Sequence, residues 1–304
     1  MKKNLLLLFM VSCGYLNAQV LQTQGFDLTT AALVTAGWQI TNVSEPLGTG
    51  AWSIPYDVPT ASSSFGGLAR AGHAGGANSF ALVNYTSTTG AGLISNWLIS
   101  PNITVQNGDV VSFWSRKGTD STTDYPDRLE VRVSSATTTL VPTTAASVGS
   151  FTTLGVSVNP TLLGAFLYPK VWTQYSFTVS GLTGQVPVKI GFRYFVSDGG
   201  PAGANSDIIG IDTFSVSRPL STSDFFAQNF KIFPNPATTS IQISSTQKFI
   251  ETIEISDINA RVLKTVSCND ALQMNVDISD LSTGVYFLKV KSNEGIGSAK
   301  FLKQ

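Results

Sequence analysis

The 304-residue sequence predicts an all-β protein, a jelly-roll β-sandwich over residues 19–217 followed by a small immunoglobulin-like β-sandwich over 230–304. Three observations carry this. Short runs alternating apolar and polar residues recur between clusters of Gly, Pro, Asn, Ser and Thr, as strands recur between turns. No stretch sustains a capped helical period. Charge density changes along the chain: residues 19–229 hold 9 Lys/Arg and 12 Asp/Glu, whereas the much shorter 230–304 holds 8 and 7. That shift sets a domain boundary, with a linker over 218–229.

Along the chain, "MKKNLLLLFMVSCGYLNAQV" opens with Lys2 and Lys3 before the apolar run Leu5–Val11. The run is too short to span a bilayer, and small residues follow it, so residues 1–18 are expected to be a signal peptide cut after Ala18. A lipobox-like Met10–Cys13, with Cys13 acylated, is the rival reading. No transmembrane segment is expected. The clearest strands are "VVSFWSR" (Val110–Arg116), "RLEVRVSS" (Arg128–Ser135), "WTQYSFTVS" (Trp172–Ser180) and "VKIGFRYFVS" (Val188–Ser197). In the second, Leu129, Val131 and Val133 form the inner face and Glu130 and Arg132 the wet one. After Pro236, "SIQIS", "IETIEISDINARVLKTV", "NVDISDLSTGVYFLKVKS" and "GSAKFLKQ" read as a small antiparallel sandwich.

Composition excludes some functions. Net charge is zero and charged residues are 12% of the chain, about half the usual soluble share of ~25%. A nucleic-acid partner would want a basic face. Cys13 leaves with the leader, and Cys268 alone makes no internal disulfide.

The C-terminal residues resemble a known family. Lys231-Ile232-Phe233-Pro234-Asn235-Pro236 looks like the opening motif of the type IX secretion system C-terminal sorting domain of Bacteroidota. Asp257–Val262 looks like its central hairpin, Asp280–Phe287 with Gly284 and Tyr286 its Gly-x-Tyr segment, and Lys300-Phe301-Leu302-Lys303 its basic terminus. The resemblance implies a partner in the type IX machinery, passage across the outer membrane, and a secreted or cell-surface destination. Upstream, "QGFDL", "AGWQI", "GAWSI", "NWLISPNI" and "IIGIDTFSV" resemble the choice-of-anchor J family, related to cleaved-adhesin and MAM-like jelly rolls. Two departures stand out: Asn96 where relatives often carry an acid, and Thr213 where they often carry a second acid.

Asp27 is expected at the start of the first strand of the jelly roll and Asp212 at the beginning of the last, and terminal strands of jelly rolls commonly pair. Two carboxylates at a dry edge repel unless a cation joins them. Ca²⁺ takes about 6–8 oxygens, and Asn96 and backbone carbonyls would add to the set. Relatives bind calcium in this way, so a structural Ca²⁺ site at Asp27, Asn96 and Asp212 is expected. The alternative is that each carboxylate caps a turn or accepts backbone N–H bonds.

Catalytic constellations are thin. His73, the single histidine, lies in a glycine-rich stretch with no nucleophile elbow, which reads as a surface or hydrogen-bonding residue. Glycoside hydrolysis needs two carboxylates in one cleft; Glu130 reads as facing out, without an obvious partner. Asp120, Asp124 and Asp127 in "TDSTTDYPDR" read as a solvated acidic loop, and "SDGGPAGANSD" (Ser197–Asp207) as a flexible rim loop, where jelly rolls bind ligands. Trp97 and Trp114 are expected in the core. Trp52, between Gly50 and Pro55, is expected to be partly exposed and to stack on a sugar. The expected function is non-catalytic binding or adhesion to a glycan or a host or matrix protein. Alternatives are a carbohydrate-active enzyme with a jelly-roll groove, or a structural surface protein without a specific ligand.

Overall fold

A computed structural model describes residues 18–55, 71–118, 123–166 and 168–304. All of the expected signal peptide but Ala18, and Asp120, lie outside them. The protein is all-β, with 51% of the described residues in strands and 7% in helices. Val20–Arg218 forms one compact unit and Pro219–Gln304 lies in a second.

The first unit is a two-sheet sandwich. Its strands are β1 (Ala18–Gln24), β2 (Gln39–Asn42), β3 (Glu45–Leu47), β4 (Ala81–Asn84), β5 (Thr88–Ile99) and β6 (Ile103–Val105), then β7 (Val110–Lys117), β8 (Leu129–Ser134), β9 (Thr153–Val158), β10 (Thr173–Thr178), β11 (Val186–Gly199) and β12 (Ile208–Pro219). One sheet runs β1-β12-β7-β10, with β4 also on β12. The other runs β2-β5-β11-β8-β9, with β3 on β5 and β6 on β11. The four strands read most clearly from alternation appear as β7, β8, β10 and β11. Their inner residues meet in one core, where Phe192 packs edge-on against Phe113 and Phe214 at centroid distances of 5.2 and 5.6 Å.

The outer face of the second sheet is not wet. Trp97, Ile99 and Phe151 form a buried cluster there, with Val141 and Val148 packed against it. The chain between β8 and β9 therefore covers this face. Glu130, expected to face solvent, is 7% exposed. Its carboxylate lies 2.8 Å from Arg132 Nε and 3.2 Å from Arg193 Nη1, and the Arg193 guanidinium stacks on Phe195 at 3.4 Å. The alternation was read correctly and its wet face was not, because a long connection returns over it.

A short helix, α1 (Thr30–Thr35), starts where the Thr29 hydroxyl caps Ala32 N–H, and it buries Leu33. A second, α2 (Thr222–Asn229), falls in the stretch expected as a linker. Ser221 Oγ accepts Asp224 N–H at 3.1 Å, and Phe225 and Phe226 are buried in the core of the second unit. Two aromatic side chains that need burial make this stretch part of a domain rather than a spacer.

The second unit packs a sheet of β13 (Lys231–Phe233), β14 (Ser240–Ser244) and β17 (Gln273–Asp277) with one of β15 (Ile250–Ser256), β16 (Val262–Ala271), β18 (Gly284–Ser292) and β19 (Gly295–Lys303). Ile241, Ile243, Ile253, Ile255, Leu288 and Val290 supply its core by strict alternation. Cys268 is buried and unpaired by any disulfide.

Candidate functional site

β12 carries an irregularity between Asp212 and Ser215 in its pairing with β7. Thr213 there has a φ of 48°, a left-handed conformation that a β-branched residue rarely adopts. The bulge re-aims the strand. Residues 71–79 lie over the outer face at this point. The Trp172 Nε1–H donates to Ala71 O at 3.1 Å. The His73 ring stacks on Trp114 at 3.7 Å between centroids, and its Nδ1 lies 2.9 Å from Thr213 Oγ1. Trp114, expected in the core, is thus half-buried on the outer face beneath His73.

The Asp212 carboxylate is fully buried. Its Oδ2 accepts the His73 N–H at 2.6 Å and the Ala74 N–H at 3.1 Å, and its Oδ1 accepts the Thr213 N–H at 2.5 Å. Burial pushes its pKa up to about 6; those donors pull it down, and the charge of Asp27 pushes it up again. Asp27 follows β1 rather than starting it, yet the pairing of β1 with β12 brings its carboxylate to the same loop. A Cβ on Gly75 would lie 1.9 Å from Asp27 Oδ1. A Cβ on Gly72 would lie 2.3 Å from Ser79 O, 2.6 Å from Ala74 O and 2.9 Å from Asp212 Oδ2. Glycine at both places lets carboxylate and carbonyl oxygens converge. These are hard donors of the kind Ca²⁺ takes. Among the described residues no group of three or more His, Cys, Asp or Glu side chains is placed to hold a metal ion, so a cation here would need the backbone oxygens.

Asn96 is not part of this arrangement. It lies on β5 of the other sheet, where its Nδ2 donates to Gly50 O and Ser87 Oγ, both at 3.0 Å. It holds a neighbouring loop. Trp52 is 1% exposed, with its Nε1–H given to Asn96 O at 3.0 Å. The flanking Gly50 and Pro55 suggested a surface position, but the ring fills the sandwich core and offers no face to a ligand. The expected solvated acidic loop is also different. Asp124 and Asp127, with Asp207, gather around the buried Lys117. Sequence reasoning missed this cluster, because Lys117 ends a strand and its partners lie up to 90 residues away in the chain (117 to 207).

In the second unit the predicted motif residues come together from both ends. Asn235 Oδ1 accepts the Leu302 N–H at 2.9 Å and its Nδ2 donates to Lys300 O at 3.2 Å. Ala237 N–H donates to Leu302 O and Gln304 N–H to Ala237 O, both at 2.8 Å. Pro234, Asn235 and Pro236 are exposed, as is Lys300. Gly284 pairs with Lys303 across β18 and β19, and Tyr286 stacks on Phe301 with its hydroxyl donating to Ser282 O at 2.8 Å.

Residues 231–304 match the family described as a secretion system C-terminal sorting domain. The C-terminal module is a type IX sorting domain. The sorting domain sends the chain to the outer cell surface or the extracellular space. No helix among the described residues is long and apolar enough to cross a membrane. No curated protein matches the chain. Among solved structures it is similar to the K3 cleaved adhesin domain of Lys-gingipain from Porphyromonas gingivalis W83, at 14% identity over 65% of this chain and 99% of that one, with a TM-score of 0.41. The K1 cleaved adhesin domain of the same protein gives 15% identity, 65% and 97% coverage, and a TM-score of 0.38. The glycoside hydrolase domain of Endo-D from Streptococcus pneumoniae R6 gives 11%, 75% and 34%, with a TM-score of 0.30.

Proposed function

We propose that the N-terminal sandwich is a non-catalytic adhesin-like module of the choice-of-anchor J type. It binds a glycan or a host or matrix protein outside the cell, after delivery by the sorting domain. The observation that carries this reading is the state of the acids. Burial pushes Glu130 up, but the hydrogen bond and charge of Arg132, joined by Arg193, outweigh it, and the net shift is downward. A carboxylate fixed between two guanidinium groups is a poor general acid. Asp124, Asp127 and Asp207 are ion-pair partners of the buried Lys117. His73 is stacked on Trp114, with its Nδ1 2.9 Å from Thr213 Oγ1.

Asp27, Asp212 and the backbone oxygens of residues 72–79 would hold a structural Ca²⁺, which fixes the loop over the sheet. The test incubates the full chain with polysaccharides and matrix proteins, with calcium and with chelator, and follows both retention and release of soluble product. Retention without product is expected, and product release would overturn the binding reading. Calcium at about 100 times its Kd should stabilise the fold by about 2.7 kcal/mol. Identical melting with calcium and with chelator would remove the metal site from the reading.

A further inference from the structure

At one end of the first sandwich, apart from the Asp27–Asp212 loop, lies a cleft of about 340 Å³ lined by Tyr85, Tyr125, Pro201, Ser206, Asp207 and glycines of the same loop. Tyr85 and Tyr125 are 40% and 41% exposed. Two large aromatic side chains left open on the walls of one cleft are the usual mark of a surface that takes a flat, partly apolar ligand.

The cleft is preformed. Tyr85 opens a 3₁₀ turn capped by Asn84, whose Oδ1 accepts Thr86 N–H at 2.9 Å. Its own N–H donates to Asp207 O at 2.8 Å, so the two walls are tied together. Ser206, at a φ of 78°, donates its N–H to Pro126 O at 2.9 Å and accepts Gly200 N–H on its hydroxyl at 2.8 Å. Asp207 N–H donates to Asp127 Oδ1 at 2.9 Å. The 197–207 stretch, expected as a flexible rim loop, is pinned on several sides, which lowers the ordering cost of binding.

Lys117 stands among the carboxylates beside the cleft, 3.3 Å from Asp207 and 2.8 Å from Asp124, and Lys170 lies 2.9 Å from Asp124. Counted with Asp127, this is two cations against three anions, so the cleft has no excess positive charge to hold sulfate or carboxylate groups. Asp207 lines the cleft, and an ionised carboxylate, with about four lone-pair sites, can accept from more than one donor. Asp127 Oδ2 is buried without a hydrogen-bond partner and faces the Lys117 ammonium at 3.7 Å.

We infer that the Tyr85–Tyr125 cleft is a binding site for an uncharged glycan, whose ring faces stack on the tyrosines and whose hydroxyls are read by Asp207. This rests on the binding reading given above. The test immobilises dextran, mannan and laminarin as neutral probes, with heparin and fibronectin beside them, and measures retention of the full chain. Wild type should be retained by at least one neutral polysaccharide. The double variant Tyr85→Ala/Tyr125→Ala should bind about tenfold more weakly with its melting unchanged, while Tyr85→Phe/Tyr125→Phe, which keeps the stacking faces, should stay within about threefold. Neutral retention unaffected by the alanines, or retention on heparin or fibronectin alone, overturns this site and leaves the binding reading standing. No retention on any probe overturns both.

Discussion

Lys117→Met is expected to lower the unfolding midpoint of the N-terminal sandwich by on the order of 10 °C. The Lys117 side chain is 2% exposed and its ammonium lies 2.8 Å from Asp124, 3.3 Å from Asp207 and 3.7 Å from Asp127. Burial alone would lower its pKa; the charges of Asp127, Asp207 and Asp124 and the hydrogen bond to Asp124 win, and the net shift is upward. Removing one partner of a buried pair costs about 3–5 kcal/mol, because the other charge is left uncompensated. In a unit of this size each kcal/mol moves the midpoint by roughly 2–4 °C. Calorimetry of the full chain would report the change in the sandwich transition. A shift below about 2 °C would mean that water already solvates the cluster.

The same cluster makes a pH prediction. Burial pushes the Asp127 carboxyl up to about 6, against the charge of Lys117 and the hydrogen bonds from Tyr194 and Asp207. Between its ordinary value of 3.8 and about 6 the folded state holds this proton and the unfolded state does not. The contribution is therefore full below 3.8, shrinks as pH rises, and is lost above about 6. Asp127→Asn removes this titration. The stability of the variant relative to wild type should rise between pH 4 and pH 7, read from paired urea titrations. A difference that stays flat would place the proton elsewhere.

Deleting residues 231–304 should empty the outer surface of this protein. The module is a type IX sorting domain, and the first unit has its own core, built without residues beyond Val216. The shortened chain should fold, then stay in the periplasm. Protease shaving of intact cells against whole-cell immunoblots reads this directly. The surface signal should fall to background while total protein persists. Equal shaving of both chains would mean that export does not depend on this module.

Much of the fold was legible because a strand with one buried face writes itself in alternation. Residues 128–135 and 172–180 show this: the period of two placed both strands. The layers lying over the sheets were not legible. Glu130 reads as wet on any local rule, and only the returning chain near Phe151 buries it. Trp52 failed for the same reason, since flanking Gly and Pro describe the backbone and not what surrounds the ring. The approach of Asp27 to Asp212 was readable, because it follows from pairing the first and last strands. Asn96 was not separable from that pair by sequence, because which sheet a strand joins is a property of topology. The tyrosine cleft assembles from three distant segments, and only "SDGGPAGANSD" announced itself.

The clamp between Asn235 and the last strand has a consequence for how the sorting domain is read. The residues that open the module make their hydrogen bonds to Lys300 and Leu302, and Ala237 closes on Gln304. The opening motif and β19 therefore become one surface only once both have been made and folded. A chain cut before Lys300 lacks both partners of Asn235. The motif at the start of the module is thus held in its folded form by a strand made some 65 residues later.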